Sequence, residues 1–203
     1  MKIISISNAK GGTSKSTLCL NLGPLIKNLV IIDLDNQQSC YQINQVREKK
    51  HKVLIPTNEK ELFTILDKYE DNSNILIDCG SYDTDFKRVA IVNSDILIIP
   101  LKDNSFEMLA FKKYVKVIEK LYKKNPKLKI VVVISNVHCL STDFNRLKKF
   151  ISKYNFITLA KTIIRHRIDF AVLLDAGTTA IEKDRKSKAA KEIKKLYKEI
   201  KKI

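Results

Sequence analysis

The chain has 203 residues, of which 44% are hydrophobic, and a formal net charge of +16. This hydrophobic content can form a buried core and excludes intrinsic disorder, and no apolar run approaches the ~18–20 residues of a membrane-spanning helix. Residues 1–100 contain 12 Lys+Arg and 12 Asp+Glu, whereas residues 101–203 contain 26 and 10; such a basic half indicates a polyanionic partner, either nucleic acid or an anionic membrane surface.

Short runs rich in Ile, Val and Leu recur along the chain and predict strands that are buried on both faces. These runs cover residues 3–7, 29–33, 75–78, 96–99 and 130–134, with residues 161–164 as a candidate sixth strand. Helical patterns separate the runs, which indicates parallel pairing of the strands. The predicted fold class is therefore α/β, with a doubly wound and mainly parallel sheet flanked by helices.

The segments between the strands repeat their apolar residues at helical spacing. The first helix is predicted to start near Ser16 and to end or kink at Gly23-Pro24, because proline cannot continue a helix. Three later apolar stripes are formed by Met108, Phe111, Tyr114, Val115, Ile118, Leu121 and Tyr122, by Phe144, Leu147, Phe150, Ile151 and Tyr154, and by Ile193, Leu196, Tyr197, Ile200 and Ile203. No repeat or linker interrupts the pattern, so we expect a single domain over residues 1–203 without an N-terminal helix-turn-helix extension.

The N-terminus and the cysteines indicate the compartment. The first ten residues, MKIISISNAK, lack the apolar region and cleavage site of a signal peptide, so a cytoplasmic protein is expected. Cys19, Cys40, Cys79 and Cys139 form no C-x-x-C pair, which argues against a zinc or iron–sulfur site. They are interpreted as buried, reduced thiols.

A glycine-rich segment lies between the first strand and the first helix. Its residues are Asn8, Ala9, Lys10, Gly11, Gly12, Thr13, Ser14, Lys15, Ser16 and Thr17. The two glycines allow backbone N–H groups to turn towards a ligand, and the helix N-terminus adds unpaired donors and a partial positive charge. The pattern K-G-G-x-x-K-[ST] predicts a phosphate-binding loop in which Lys15 contacts the β- and γ-phosphates and Ser16 binds Mg²⁺.

Three aspartates follow two of the predicted strands. Asp33 and Asp35 come at the end of the second strand, and Asp78 ends the third. Carboxylates at these strand ends face the crevice where α/β folds bind ligands. A lone aspartate here is usually a helix cap, but three together with the glycine loop indicate a nucleotide site.

The sequence resembles the ParA/MinD family of ATPases with a deviant Walker A motif, and it is most similar to small ParA-type partition proteins. The similar segments are KGGTSKST (10–17), IIDLDNQQS (31–39), ILIDCG (75–80), SDILIIPLKDNS (94–105) and VVVISNV (131–137). A late segment from Arg165 through Gly177 to Glu182 also resembles the family. Asn36 departs from the family's usual proline, and Ser14 stands where glycine is commoner.

The resemblance implies roles for individual residues. Lys10 would be the signature lysine, which reaches across an ATP-sandwich dimer to the partner's phosphates. Asp35 would orient the attacking water, Asp33 would support the metal environment, and Asp78 would hold Mg²⁺ through a water. Asn136 would contact the adenine edge, although an Asn at a strand end is more often a turn residue. ATP and Mg²⁺ are therefore the expected cofactors.

The resemblance also implies what ATP binding and hydrolysis would control. ParA-type proteins bind DNA non-specifically as ATP dimers and are released when a ParB-like, centromere-binding partner stimulates slow hydrolysis. The implied function is an ATPase for DNA partition (segregation), with a nucleoid-associated location in the cytoplasm. The candidate DNA-binding residues are basic ones of the second half: Lys148, Lys149, Lys153, Arg165, Arg167, Lys183, Arg185, Lys186 and Lys188.

Two alternatives belong to other classes. The basic, amphipathic C-terminal helix would also suit a MinD-like ATPase on a membrane surface. That helix has no Trp or Phe on its apolar face, and the face could pack on the sheet instead. A metal-carrying relative with cysteines paired at a dimer interface is disfavoured, since Cys79 and Cys139 form no recognisable pair.

Overall fold

The computed structural model describes residues 2–69, 72–81 and 83–203. Strands and helices alternate along the chain: β1 (Ile3–Ile6), α1 (Lys15–Leu22), β2 (Leu29–Asp33), α2 (Ser39–Gln45), β3 (Lys52–Leu54), α3 (Glu59–Tyr69), β4 (Asn74–Asp78), α4 (Asp85–Val92), β5 (Ile96–Leu101), α5 (Ser105–Lys124), β6 (Lys129–Val137), α6 (Asn145–Ile151), β7 (Ile157–Leu159), β8 (Ile164–Arg165), α7 (Ile168–Asp175), α8 (Ala180–Lys183) and α9 (Lys188–Ile200).

The strands form one parallel sheet in the order β3-β2-β4-β1-β5-β6-β7, with β8 also paired to β6. The predicted fold class is therefore confirmed. Because the order reverses on either side of β1, a crevice opens at the carboxyl end of this central strand, where α/β folds bind their ligands.

The sheet has a hydrophobic core on each face. Successive side chains of a strand point to opposite faces, so Leu97 and Ile99 belong to one core cluster while Ile96 and Ile98 belong to the other. Helices α3, α4, α5 and α6 cover the first face, and α1, α7, α8 and α9 cover the second. We call these the α5 layer and the α9 layer.

The strongest sequence patterns are confirmed as elements. Helix α1 starts at Lys15 and ends at Leu22, followed by a 3-10 turn over Gly23–Leu25. The stripes from Met108 and from Phe144 become the buried faces of α5 and α6. Within the part of the chain that the structure describes, no helix is long and apolar enough to cross a membrane.

The last helix uses its apolar face for packing. Ile193, Leu196 and Ile200 of α9 are buried in the core of the α9 layer, and Tyr197 is partly buried against it. Ile203 lies beyond the helix and is partly exposed. The apolar face of α9 is therefore already occupied by the sheet and α1.

Two sequence predictions were wrong. No strand covers residues 161–164; the chain instead forms β7 at Ile157–Leu159 and β8 at Ile164–Arg165. Cys139 is exposed, whereas Cys19, Cys40 and Cys79 are buried as predicted. Cys139 lies in the polar turn after β6, so no strand or helix carries it into the core.

Candidate functional site

The glycine-rich loop and the strand ends form one cleft of about 560 Å³. Its walls contain the loop residues from Ala9 to Thr17 together with Asp35, Gln37, Ser39 and Ser81. The loop connects β1 to α1, so the cleft lies at the carboxyl end of the central strand. A cleft of this size suits a small-molecule ligand.

The loop depends on two left-handed backbone positions. Gly12 has a φ of +68° and Ser14 a φ of 71°. The Ser14 conformation explains why glycine is commoner there, because a side chain in the left-handed region costs on the order of 1–3 kcal/mol. This strained turn directly precedes the N-terminus of α1, where free backbone N–H groups favour an anion.

Lys15 is buried inside the loop. Its Nζ donates to the backbone oxygen of Lys10 at 3.0 Å and to Oγ of Ser81 at 3.0 Å. Burial lowers the pKa of Lys15, and the nearby carboxylates of Asp78 and Asp35 oppose that shift. An ammonium group with few water neighbours interacts strongly with phosphate oxygens, since there is little solvent to screen it.

Lys10 points to a different neighbour, on α5. Its Nζ lies 3.6 Å from Oε1 of Glu107, and the side chain of Lys10 is 42% exposed. Glu107 is buried, and its Oε2 has no hydrogen-bond partner among the described residues. The exposed position of Lys10 at the cleft edge is compatible with a contact to a second molecule.

Asp33 and Asp78 form a pair of buried carboxyl groups. They are register partners on the adjacent strands β2 and β4, and neither is exposed to solvent. Burial, and then the charge of Asp78, raise the pKa of Asp33 to about 6. Burial likewise raises the pKa of Asp78, against the favourable effect of the Ser16 hydroxyl. Such a pair is stabilised by a cation.

Backbone and thiol groups hold the two carboxyl groups in place. Asp33 accepts hydrogen bonds from the N–H groups of Asp35 and Tyr41, at 3.1 and 3.0 Å. Asp78 accepts from the Gly80 N–H at 3.1 Å and from the Cys40 thiol at 3.3 Å. Both side chains are therefore oriented before any ligand arrives.

The donors around this pair fit Mg²⁺. The hydroxyl of Ser16 and the carboxylates of Asp33 and Asp78 are hard oxygen donors, which Mg²⁺ prefers. Among residues 2–69, 72–81 and 83–203, no group of three or more His, Cys, Asp or Glu is arranged to bind a metal. Mg²⁺ usually takes one or two protein carboxylates and fills its shell with water and phosphate oxygens.

Asp35 lies closer to the open cleft than the buried pair. It is half-buried, and its Oδ1 accepts from the Gln37 N–H at 3.1 Å. Gly80, at φ +63°, lies against it: a Cβ added at Gly80 would come within 2.8 Å of the Asp35 carboxyl carbon. A glycine is therefore required where the loops after β2 and β4 meet.

A second, smaller pocket of about 180 Å³ continues from the loop along α1. Asn136 lines it, and its Nδ2 donates to the Gly12 oxygen at 3.4 Å. His166 lies 2.8 Å from Oδ1 of Asn136, and the Phe170 side chain also lines the pocket. The structure thus places Asn136 in a pocket next to the loop, and its contact with the adenine edge stays a prediction.

The structure separates the basic residues into two groups. Lys148, Lys149 and Lys153 are exposed on or just after α6, in the α5 layer. The remaining candidates are attached to the α9 layer and consist of Arg165, Arg167, Lys183, Arg185, Lys186 and Lys188. The predicted DNA-binding set is thus not one continuous helix surface.

Two arginines of the second group already have protein partners. Arg165 Nη1 donates to the backbone oxygens of His138 and Ser141, at 3.1 and 2.9 Å. Arg167 forms an ion pair with Glu192 at 2.5 Å. The four residues Lys183, Arg185, Lys186 and Lys188 are exposed and lie close together in sequence, so they form the more available cationic group.

The late segment around Gly177 and Glu182 contacts the chain that follows α2. Nη2 of the buried Arg47 donates to both carboxylate oxygens of Glu182, at 2.9 and 3.0 Å. Gly177, at φ +68°, packs so closely on the chain after α2 that an added Cβ would lie 2.3 Å from the Val46 oxygen. These contacts fix the loop that follows the aspartate-bearing end of β2 and α2.

Sequence reasoning missed several residues that the site brings together. Ser81, Glu107 and Cys40 lie outside the segments that resemble the family, and His166 lies in the late segment but was given no role. Only contact in space connects Ser81 to Lys15, Glu107 to Lys10 and Cys40 to Asp78. One local signal was the position of Ser81 directly after the segment ILIDCG (75–80).

Most of the sequence matches one known protein family. The model of the CobQ/CobB/MinD/ParA nucleotide binding domain matches residues 4–179. An uncharacterized protein of Pseudomonas putida is 25% identical over 237 residues, which cover 93% of this chain and 90% of that protein.

Three solved structures are similar over nearly their whole length. A plasmid partition protein from Borrelia burgdorferi has a TM-score of 0.67 and 19% identity, covering 100% of this chain and 99% of its own. A variant of Cyanothece McdA in complex with ATP has a TM-score of 0.73 and 13% identity, covering 99% and 96%. The septum site-determining protein MinD of Pyrococcus horikoshii, complexed with Mg-ADP, has a TM-score of 0.66 and 17% identity, also covering 99% and 96%.

Proposed function

The chain belongs to the CobQ/CobB/MinD/ParA family of nucleotide-binding domains, and on that premise we propose that it is an ATP-dependent DNA partition ATPase. Its ATP-bound dimer would bind DNA without sequence preference, and hydrolysis stimulated by a ParB-like partner would release it. The observation that carries the proposal is the convergence of Lys10, Lys15 and the aspartates Asp33, Asp35 and Asp78 on one cleft and its floor.

Binding of ATP would use the loop from Lys10 to Thr17. Lys15 would bind the β- and γ-phosphates, and its position in the loop that lines the cleft supports this role. The Gly11 and Gly12 backbone, which has no side chains, would leave their approach open. Asn136 would contact the base in the adjoining pocket. Ser16, Asp33 and Asp78 would hold Mg²⁺, which when bound neutralises charge on the phosphate oxygens.

Hydrolysis would depend on Asp35 and on Lys10. Asp35 would orient a water near the terminal phosphate, and its half-buried position in the lining of the cleft supports this role. Lys10 would leave Glu107 and contact the phosphates of the second protomer in the dimer. A lysine that serves the partner's site couples hydrolysis to dimerisation.

Two lysine variants test the nucleotide proposal. Lys15→Ala should abolish binding of fluorescent ATP, because it removes the buried phosphate contact, while Lys50→Ala on the surface should bind normally. Lys10→Ala should retain ATP binding but lose most of the ATP-dependent dimer in light scattering. Equal dimerisation of Lys10→Ala and the unmodified chain would contradict the role of Lys10 in the second protomer.

DNA binding would use the exposed cations before and at the start of α9. Residues 181–203 contain 10 Lys+Arg and 4 Asp+Glu, and neutralisation of backbone phosphates by such clusters is the basis of non-specific binding. The competing membrane function is weakened by the packing of α9, since Ile193, Leu196 and Ile200 are buried.

The salt dependence of DNA binding tests this part. If the ATP dimer contacts roughly 4–8 phosphates, log K should fall against log[salt] with a slope of roughly −4 to −7. The triple variant Lys183→Glu, Arg185→Glu and Lys186→Glu should weaken plasmid retention by at least tenfold. The matched control is Lys116→Glu, Lys120→Glu and Lys124→Glu on α5. A slope near zero, or binding to anionic liposomes but not to DNA with ATP, would reject the proposal.

Release from DNA needs a separate measurement. The ATPase rate of the unmodified chain should rise when DNA and a small partner encoded beside the gene are both present. Lys10→Ala should lose this stimulation, since the stimulated state is the dimer. A rate that is unchanged by DNA and by partner together would contradict a partition cycle.

A further inference from the structure

A groove of about 410 Å³ runs between α5 and α6 in the α5 layer. Each helix lines it with residues spaced i, i+3, i+4 and i+7, starting at Ser105 on one side and at Arg146 on the other. The helices are held together below the groove by an edge-to-face contact of Phe111 and Phe150, with ring centroids 5.9 Å apart. The groove is therefore a fixed feature of the packed layer.

The floor of this groove is apolar and partly open to solvent. It is formed by Met108, Leu109 and Phe150, of which Leu109 is 57% exposed. Phe106, on the preceding turn of α5, is 76% exposed. A leucine and a phenylalanine exposed to this extent on adjacent turns are typical of a surface that binds another chain.

The rim of the groove carries four cations. They are Lys112 on α5 and Arg146, Lys149 and Lys153 on or just after α6. Over the described residues none of the four forms an ion pair within 4 Å, and Arg146 donates only to Oγ of Ser105, at 2.9 Å. Asp103 is a carboxylate near Arg146, with Asp143 near Asp103, and neither lines the groove.

We propose that this groove binds an acidic, amphipathic helix of a partner protein. Apolar side chains of that helix would contact Met108, Leu109 and Phe150, while its carboxylates would pair with the four cations. An amphipathic helix in a groove is a recurrent mode of recognition that uses anchors at i, i+3, i+4 and i+7. Opposite charges at the rim would select this partner and speed its association.

DNA is a poorer occupant of the same groove. Phosphate groups would satisfy the lysines, but the exposed Leu109 and the apolar floor offer nothing to a sugar–phosphate backbone. The groove is in the α5 layer, and two of its cations, Lys149 and Lys153, belong to the DNA-binding set predicted from the sequence. The cations proposed above for DNA lie before and at the start of α9. The partner helix and DNA would therefore occupy separate surfaces, so this inference stands whether or not the chain binds DNA.

The test uses labelled synthetic peptides and the full chain. The probe is an 18-residue helix with Leu at i, i+3, i+4 and i+7 and Glu at most other positions. Two controls have the same leucines with Lys in place of Glu, or the same composition in scrambled order. In fluorescence anisotropy the acidic helix should bind at least tenfold more tightly than either control peptide.

Variants locate the binding surface. Lys149→Glu with Lys153→Glu should weaken binding of the acidic helix at least tenfold, and Leu109→Ala should weaken it at least threefold. The matched charge control, Lys116→Glu with Lys120→Glu on exposed α5 positions outside the groove, should bind as the unmodified chain does. Circular dichroism and ATP binding, compared across all variants, establish that each is folded.

Three results would overturn the proposal. One is equal binding of the acidic and the scrambled peptide. Another is equal loss of binding in the groove variant and in the charge control. The third concerns a 20-bp DNA duplex that displaces the peptide. If Lys149→Glu with Lys153→Glu weakens binding of this duplex more than the triple variant of residues 183, 185 and 186 does, the groove binds nucleic acid instead.

Discussion

At the scale of single residues, Asp33 and Asp78 are two acidic groups whose burial opposes the stability of the fold. Two carboxyl groups on neighbouring strands are taken out of water, and burial with the adjacent charge raises the pKa of Asp33 to about 6. Without a cation the site is therefore stabilised by holding a proton. Mg²⁺ with nucleotide would replace that proton.

The raised pKa of Asp33 should make the free energy of unfolding depend on pH. Asp33 in the unfolded chain has an ordinary pKa near 3.8, below the folded value of about 6, so the folded state binds more protons between these pH values. The contribution of Asp33 to the free energy of unfolding is therefore present below pH 4 and is lost as the pH rises through 6. Relative to Asp33→Asn, the unmodified chain should lose stability between about pH 4.5 and 7.5.

Urea denaturation at those two pH values, without Mg²⁺ or nucleotide, measures the difference. A control at Asp67→Asn, on α3 away from the buried pair, should show no such pH-dependent gap. If Asp33→Asn and the unmodified chain have parallel profiles, the raised pKa is not a property of the folded protein.

At the scale of elements, the contact between Gly177 and the chain after α2 joins distant parts of the sequence. An added Cβ would lie 2.3 Å from the Val46 backbone oxygen, and the φ of +68° is one that side chains rarely adopt. Beside it, Glu182 neutralises the buried Arg47. The loop after α2 is therefore held by Gly177 and Glu182 in addition to its own hydrogen bonds, such as that from Asn44 Nδ2 to the His51 oxygen at 2.9 Å.

Gly177→Ala should destabilise the protein by about 2–4 kcal/mol, because it adds both backbone strain and a backbone clash. Gly11→Ala is the matched control, since its Cβ would meet nothing closer than Oγ of Ser81 at 3.6 Å. Chemical denaturation should show a large loss for Gly177→Ala and a small one for Gly11→Ala. Equal midpoints would mean that this contact does not limit stability.

Long and locally patterned elements could be predicted from the sequence, whereas short ones could not. Strands β1, β2, β4, β5 and β6 contain continuous apolar runs and were all predicted. The predicted bounds of β1, β2 and β4 agree with the observed ones to within one residue, whereas β5 and β6 were predicted too short. Strand β3 has only three residues within a polar stretch and lies at the sheet edge. Its existence follows from pairing with β2, which local pattern does not contain.

The region after α6 shows a different reason for error. One strand was predicted at 161–164, but β6 is nine residues long and pairs with two short strands in turn. Its first part pairs with β7, and its later part with β8. The length of β6, rather than the apolar residues of its neighbours, decides where these strands form.

Some residues of the candidate site could be predicted from local sequence patterns, and others could not. Lys10, Lys15, Ser16 and the aspartates lie in local motifs, so the sequence could place them together at the sheet's carboxyl edge. Glu107 and His166 reach the site from α5 and from the end of β8. Their contribution depends on the packing of whole elements, which no local spacing reveals.

At the scale of the whole molecule, binding of a nucleotide in the cleft should raise the free energy of unfolding. A ligand that binds only the folded state at about 100 times its Kd adds about 2.7 kcal/mol to the free energy of unfolding. For a chain of this size that corresponds to a rise in Tm of about 5–10 °C. ATP with Mg²⁺ should produce this rise in the unmodified chain and in Lys50→Ala, but not in Lys15→Ala.

Differential scanning fluorimetry with ATP, ATP plus Mg²⁺, and Mg²⁺ alone gives the comparison. The rise should be greatest with both, because the buried carboxyl pair is then compensated. A similar rise in Lys15→Ala would show that the stabilising ligand binds elsewhere.

The ion pair of Arg47 with Glu182 also has a consequence for how the protein is made. The two residues are 135 positions apart, and at a synthesis rate of about 5–20 residues per second they leave the ribosome about 7–27 s apart. During that interval the aspartates and the glycine loop have been translated, but the chain beneath them lacks this ion pair. A nascent chain that has not yet reached residue 182 would therefore carry the motifs of the nucleotide site without the ion pair that supports the loop after α2.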